Sequence, residues 1–290
     1  MFRLTVVAAL TLLCACTRGS SNPWIDRLEV DTFEGGEVIS LSKEQLEKQL
    51  RERLVAAKFN VAAEGKKVPD KVKPWRVALA AGLSEPELES RTSLLQVVLE
   101  LSHTGEADPI LVDQRHRLAA PDGDVEALQN SIRDAFNESL DAAVRESAAV
   151  IRLDDADVST LQAKLKDSDL AMQNAAVRLL VRKRDVAALP VLLARLSSDD
   201  VDVLRTVVGQ LVELRAPEAV NPLIEAAHLK GPVFEREVVF AVSAIGGDDA
   251  EAYLDLVSSG HDDPLIRASA EQALKELRAG KTSKKPGEKE

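Results

Sequence analysis

The chain has 290 residues, with 48 acidic side chains against 37 basic ones and a formal charge of −11, the wrong sign for a protein that holds nucleic acid through general attraction to its backbone. Hydrophobic residues make up 45% of the chain and charged ones 29%, which is enough apolar surface to fold. Six Phe, two Trp and one Tyr are too few for a sugar-stacking groove, a base-stacking platform or an aromatic-rich β core, and the composition points to helices packed with Leu, Val and Ala.

Met1-Phe2-Arg3 supplies one positive charge, and Leu4 to Ala15 forms an apolar run of twelve residues. That length fits the apolar region of a signal peptide and falls short of the roughly 20 residues that span a bilayer as a helix. The run closes on Leu13-Cys14-Ala15-Cys16, which resembles the lipobox of bacterial lipoproteins: an apolar residue, a small residue, then the cysteine. The resemblance implies that residues 1–15 are removed and that Cys16 becomes a diacylated N-terminus, with acyl chains such as palmitate as its covalent lipid. Cys14 fits the pattern poorly, because Leu13 would have to be its small neighbour. The other reading is an ordinary secretory signal with an incidental cysteine.

Cys14 and Cys16 are the only cysteines, so cleavage before Cys16 leaves no disulfide to be made and the fold rests on its core. Two acyl chains, at about 0.8 kcal/mol per buried methylene, make a stable anchor. The expected location is the bacterial cell envelope, facing the periplasm. Thr17 stands where similar lipoproteins kept at the inner membrane carry Asp, which favours the outer membrane. Thr17 to Pro23 completes a flexible tether over residues 16–23, reaching about 15 Å.

Residues 24–150 mix extended and helical signals. Arg27 to Phe33 and Glu37 to Leu41 are short extended stretches around Gly35-Gly36, consistent with a turn or hairpin. Ser42-Lys43-Glu44-Gln45 has capping-box spacing, and Leu46, Leu50 and Leu54 repeat on one helical face. Arg76 to Leu83, Ser93 to Leu101 and Ile110 to Leu118 read as a three-strand meander, followed after Pro121-Asp122-Gly123 by an amphipathic helix carrying Leu128, Ile132, Phe136, Leu140 and Val144. This order predicts a small α+β domain with helices on one face of an antiparallel sheet.

Within a predicted repeat domain over residues 151–279, residues 158 to about 278 repeat with a period of 31. Leu161, Leu192, Leu223 and Leu254 share the interval, as do Val177, Val208, Val239 and Ala270; Leu180, Leu211, Val242 and Ala273; Ala188, Ala219 and Ala250; and Arg205, Arg236 and Arg267. Five columns in register make a tandem repeat of helix pairs, each too small to bury both faces alone, so that stacking about four of them yields an all-α solenoid with a continuous core. The segments Asp199-Asp200-Val201-Asp202-Val203-Leu204-Arg205 and His261-Asp262-Asp263-Pro264-Leu265-Ile266-Arg267 resemble HEAT repeats, particularly the short bacterial type first associated with bilin lyases. The resemblance implies that the acidic residue opens the second helix of each pair and that Arg205, Arg236 and Arg267 bond along the stack. Asn174 stands where the first unit should have its arginine, and Gly231-Pro232 replaces the third unit's acidic turn. Residues 280–290 are polar and Lys-rich, the composition of a disordered tail.

Signals for chemistry are sparse. His103, His116, His228 and His261 show no pair at helical spacing, so no metal site is expected. No G-x-S-x-G elbow or Gly-rich phosphate loop is present, and Gly246-Gly247 reads as a helix end. Asp154-Asp155-Ala156-Asp157 lacks the spacing of a calcium loop and reads as a linker with Asp157 near an N-cap. Arg115-His116-Arg117 reads as a solvated part of a strand, with contact to lipid head groups or an acidic partner as the alternative.

The expected function is therefore that of a lipid-anchored envelope scaffold: no catalytic residue, no cofactor beyond the lipid on Cys16, no nucleic acid, and another envelope protein as partner on the concave face of the solenoid. The alternatives are an envelope transport or assembly accessory acting through the α+β domain and a lyase-like activity implied by the resemblance. A closed pocket with convergent polar groups favours the alternatives; an open ridged surface favours the scaffold. The negative charge marks no site, because residues 16–150 carry 17 basic and 24 acidic groups and residues 151–279 carry 15 and 22.

Overall fold

The computed structural model describes residues 22–31, 42–62, 68–70, 72–85, 92–103, 105–106, 108–119 and 125–283. Cys16, the signal segment, the Glu37–Leu41 stretch and the chain beyond Ser283 lie outside the described residues.

The first strand, β1 (Trp24–Val30), precedes α1 (Lys43–Ala56). Ser42 starts the helix as its sequence predicts: the Ser42 N–H donates to Gln45 Oε1 at 2.7 Å and the Ser42 hydroxyl accepts from the Gln45 N–H at 3.3 Å. Leu46, Leu50 and Leu54 form the buried face of α1. The helix leads to β2 (Asn60–Val61), then β3 (Trp75–Leu83), β4 (Thr92–His103) and β5 (Ile110–Ala119).

The last three strands form the expected antiparallel meander. The sheet order is β2-β1-β3-β4-β5, with β1 parallel to both of its neighbours. The sheet is thus mixed where the sequence suggests an antiparallel one. The cause is local: α1 stands between β1 and β2 and carries the chain back to the end where β1 began, which is what a parallel pair requires.

One long helix, α2 (Val125–Leu153), lies across β4 and β5 and beside α1. Ile132, Phe136 and Leu140 are its fully buried residues toward the sheet end, each contributing on the order of 1.5–3 kcal/mol through burial.

Four helix pairs follow: α3 (Val158–Lys164) with α4 (Leu170–Arg182), α5 (Leu189–Arg195) with α6 (Val201–Leu214), α7 (Val220–Lys230) with α8 (Pro232–Ile245), and α9 (Asp248–Gly260) with α10 (Pro264–Ser283). The second helices, α4, α6, α8 and α10, pack in a row, and α2 extends that row at its start by packing on α4. The 31-residue columns are buried: Leu161, Leu192, Leu223 and Leu254 are all 0% exposed. Val208 departs from its column and is half-buried against the core. The turns also follow the sequence, with Asp157, Asp169 and Asp200 as N-caps of α3, α4 and α6. Gly246 and Gly247 hold the α8–α9 turn at φ 78° and 101°, a conformation other residues enter only with strain.

A single apolar cluster runs from Ile25 in β1 to Leu274 in α10. Because α2 serves both the sheet and the helix row, the sequence boundary at residue 150 falls in its last turn. Helix α10 continues through Ser283, into the stretch whose composition suggests a disordered tail.

Candidate functional site

A cleft of about 500 Å³ opens where edge strand β5 meets α2 and the first two helix pairs. Helical spacing builds two of its walls. Asn174 and Arg178 are four residues apart on one face of α4, and Asp202, Thr206 and Gln210 recur every four residues on one face of α6. Strand β5 supplies Asp113, Gln114 and Arg115, α2 supplies Glu146, and Arg195 enters from the last residue of α5.

Three carboxylates around the cleft are each held by arginine. Glu146, 6% exposed at its side chain, accepts from Arg178 Nη2 at 2.8 Å, Arg178 Nε at 3.2 Å and Gln114 Nε2 at 3.2 Å. Asp202 accepts a forked pair from Arg117, with Nε at 2.9 Å and Nη2 at 3.2 Å, and has Arg205 Nη1 at 3.5 Å. Asp113 pairs with Arg115 Nη2 at 2.8 Å and accepts from Gln96 Nε2 at 3.0 Å. Buried carboxylates require such partners, and these bonds join sheet, α2 and stack.

Arg195 differs. Its Nη2 donates to Asn174 Oδ1 at 2.8 Å and Gln173 Oε1 at 3.1 Å, both neutral amide oxygens. Burial pulls its pKa below the usual guanidinium range, nearby Glu146 pushes it back up, and Arg178 pulls it down again. Two other polar atoms of the lining, Arg115 Nε and Gln210 Oε1, are buried and have no hydrogen-bond partner among the described residues.

The arginine column of the repeats divides three ways. Arg205 reaches the next helix pair, with Nε and Nη2 donating to Glu237 at 2.8–3.2 Å. Arg236 is exposed and has no side-chain partner among the described residues. Arg267 turns back to the carbonyls of His261 and Asp262 ahead of its own helix. Asn174, the departure from the column, is where Arg195 docks.

Of the histidines, the structure brings His228 and His261 to one carboxylate oxygen, Glu235 Oε1, at 3.4 and 3.3 Å. The Asp263 N–H donates to His261 Nδ1 at 3.0 Å, so in the neutral ring the proton sits on Nε2, facing Glu235. Tyr253 lies near the same carboxylate with its hydroxyl buried and without a hydrogen-bond partner among the described residues, and burial first, then Glu235, pushes its pKa up to about 12. Among the described residues no group of three His, Cys, Asp or Glu is placed to hold a metal ion. His103 stacks on Trp75 and lies 3.4 Å from Asp154.

The Arg115-His116-Arg117 segment is not simply solvated, because Arg115 and Arg117 are ion-paired at the cleft. The cleft residues Glu146, Arg178 and Arg195 belong to no sequence motif. Their signal is a charge inside an apolar helix face, as in Ala175-Ala176-Val177-Arg178-Leu179-Leu180-Val181. No helix among the described residues is long and apolar enough to cross a membrane. No family model, no curated protein and no solved structure matches the chain.

Proposed function

We propose that this chain is a lipid-anchored protein of the bacterial cell envelope, exposed to the periplasm, that acts without catalysis as an interaction scaffold and receives its partner in the cleft between β5 and the helix stack. The observation that carries the reading is the openness of the cleft: polar groups from the sheet, α2 and two helix pairs line it, but it lies open at the surface and does not close into a pocket around a small ligand. A binding role is favoured over chemistry because Asp113, Glu146 and Asp202 are each committed to arginines, which leaves them poorly placed as general bases. The lipid anchor is supported by Leu13-Cys14-Ala15-Cys16 and by the lack of any other cysteine. The resemblance of the 31-residue units to HEAT repeats supports a partner that is a protein.

A photo-crosslinking residue at exposed Ala194 on the cleft rim, compared with one at exposed Glu225 on α7 outside it, tests the cleft in intact envelopes. The expected result is a defined adduct from position 194 and none from 225; no adduct at 194, or equal adducts at both, overturns the reading. Cys16→Ser should move the folded protein from the membrane to the soluble fraction, and retention at the membrane overturns the anchor.

A further inference from the structure

The cleft meets β5 along the edge of the sheet. Asp113, Gln114 and Arg115 all line it, yet successive side chains of a strand point to opposite faces, so three consecutive residues share one cavity only where it runs beside the strand's edge. The backbone on that edge is open. The Leu94 carbonyl accepts from the Ser84 N–H at 2.9 Å and the Leu94 N–H donates to the Ser84 hydroxyl at 2.8 Å, which turns the backbone groups of Leu94, and of every second residue along β4, toward β3. The residues between them, Leu95, Val97 and Leu99, face His116, Gln114 and Val112 of β5. The N–H and C=O groups of Leu111, Asp113 and Arg115 therefore point away from β4, and they make no hydrogen bond among the described residues.

The two edges of the sheet differ in what they offer. Strand β2 is two residues long, and an edge that short gives little to pair with. Strand β5 runs for ten residues with no proline and no shift of register against β4. The stack brackets its open stretch: Arg182 of α4 donates to the carbonyls of Asp108 and Pro109 at 2.8 and 3.5 Å, and Arg117 holds Asp202 of α6. Between those bridges, Leu111 to Arg115 present about 14 Å of strand edge, and Leu111 is 46% exposed. Asp113 and Arg115 neutralise each other there, so the edge repels neither sign of approaching chain.

We propose that the partner docks by adding one extended segment to β5 as a sixth strand, its main-chain N–H and C=O groups bonding to those of Leu111, Asp113 and Arg115. This rests on the cleft being the partner's docking surface. Donors and acceptors repeated at every second residue of a strand are matched by another extended backbone. A second copy of this chain could also supply a strand, and space argues against it. Pairing β5 with β5 would bring a second sheet and its α2 to an edge walled by α4 and α6, where the cleft holds about 500 Å³. A single strand about 4.8 Å from β5 has only its own side chains to place.

The test separates a backbone donor from the side chain that it carries. Asp113→Pro removes the outward N–H and leaves the β4 ladder intact, the setting in which a strand tolerates proline. Asp113→Ala removes the same carboxylate and keeps the N–H. With the photo-crosslinking residue at Ala194 in intact envelopes, Asp113→Pro should lower the adduct at least about tenfold, through one lost hydrogen bond and the ring's clash with the incoming strand. Asp113→Ala should keep most of it. Retention in both variants overturns strand addition and leaves the docking surface standing, whereas no adduct in the wild type defeats both. Loss in both overturns it in favour of side-chain recognition, and an adduct at twice the chain's mass overturns the partner as occupant. Amide exchange in the wild type decides the matter if the proline variant does not fold. The Leu111, Asp113 and Arg115 amides should exchange faster than those of Val112 and Gln114 in the purified full chain, and should slow at least about tenfold in intact envelopes. Equal rates in the two settings overturn the proposal.

Discussion

The two ends of the helix stack are built on the same 31-residue columns and differ in what fills the space beside them. At the sheet end, α4 and α6 meet β5 and α2 through arginine–carboxylate pairs and leave a polar cleft. At the far end, α8, α9 and α10 pack on one another, and the buried charge there, Glu235, faces two histidines and has no arginine bound to it among the described residues. A repeat stack matches its own surface at every step. It cannot match a twisted sheet edge with the same residues, so at that junction charged side chains bridge the mismatch, and the space they leave becomes available to a ligand.

The shared columns are the first place to break this comparison. Leu223 is 0% exposed at the centre of the stack, and Leu223→Asp puts an unpaired carboxylate into apolar packing. The expected loss is about 4 kcal/mol or more, read by chemical denaturation, with both ends of the stack failing together because the core is continuous. A variant that melts like the wild type would show that the repeat columns do not carry the fold.

The second test sets the ends against each other. Glu146→Ala strips the carboxylate from Arg178, whose side chain is only 20% exposed, and leaves a buried cation unpaired. The cost should be about 3 kcal/mol, the lower part of the range for breaking a buried pair. Glu235→Gln removes a charge that sits 10% exposed, with one oxygen that accepts no hydrogen bond among the described residues. Its stability should change by less than about 1 kcal/mol, because the desolvation cost of the charge disappears along with its contacts. Equal losses at the two sites would mean that the arginine pairs at the junction do not distinguish it.

The sequence and the structure part company along the same line. The buried columns, the Ser42 capping box and the aspartate caps are legible because each depends on residues a few positions apart or on an exact repeat. The parallel placement of β1 is not, since the apolar and polar residues of Trp24–Val30 say nothing about direction or about a partner strand that begins at Trp75. Nor is the cleft. Arg117 finds Asp202 across 85 residues of sequence, and Arg195 finds Asn174 across 21, and neither distance has a motif. What the repeat does disclose is Asn174 as a break in the arginine column; only the fold shows that an arginine from the next pair docks on it.

The ends also start their helices differently, and this gives the smallest effect. At the sheet end, Asp157, Asp169 and Asp200 cap α3, α4 and α6 with their carboxylates. At the far end, α8 and α9 begin at Gly231 and Gly247 with no side-chain cap, and of the three helices there α10 alone follows a capping aspartate, Asp263, whose carboxylate accepts from the Leu265 N–H at 2.7 Å. The Asp157 carboxylate accepts from the Thr160 N–H at 2.7 Å and from the Ser159 hydroxyl at 2.9 Å. The Thr160 bonds come first and the Ser159 bond after them in holding its pKa below the ordinary Asp value. Since the folded pKa lies below the unfolded one, the cap's contribution is fully present above the unfolded value of about 3.9 and is lost as pH falls through the folded value. The stability gap between wild type and Asp157→Ala should therefore stay constant from neutral pH down to about pH 5 and close below the ordinary Asp range, as read by thermal melts across pH. A gap that widens in acid would reverse the sign and remove Asp157 as the cap that opens the stack.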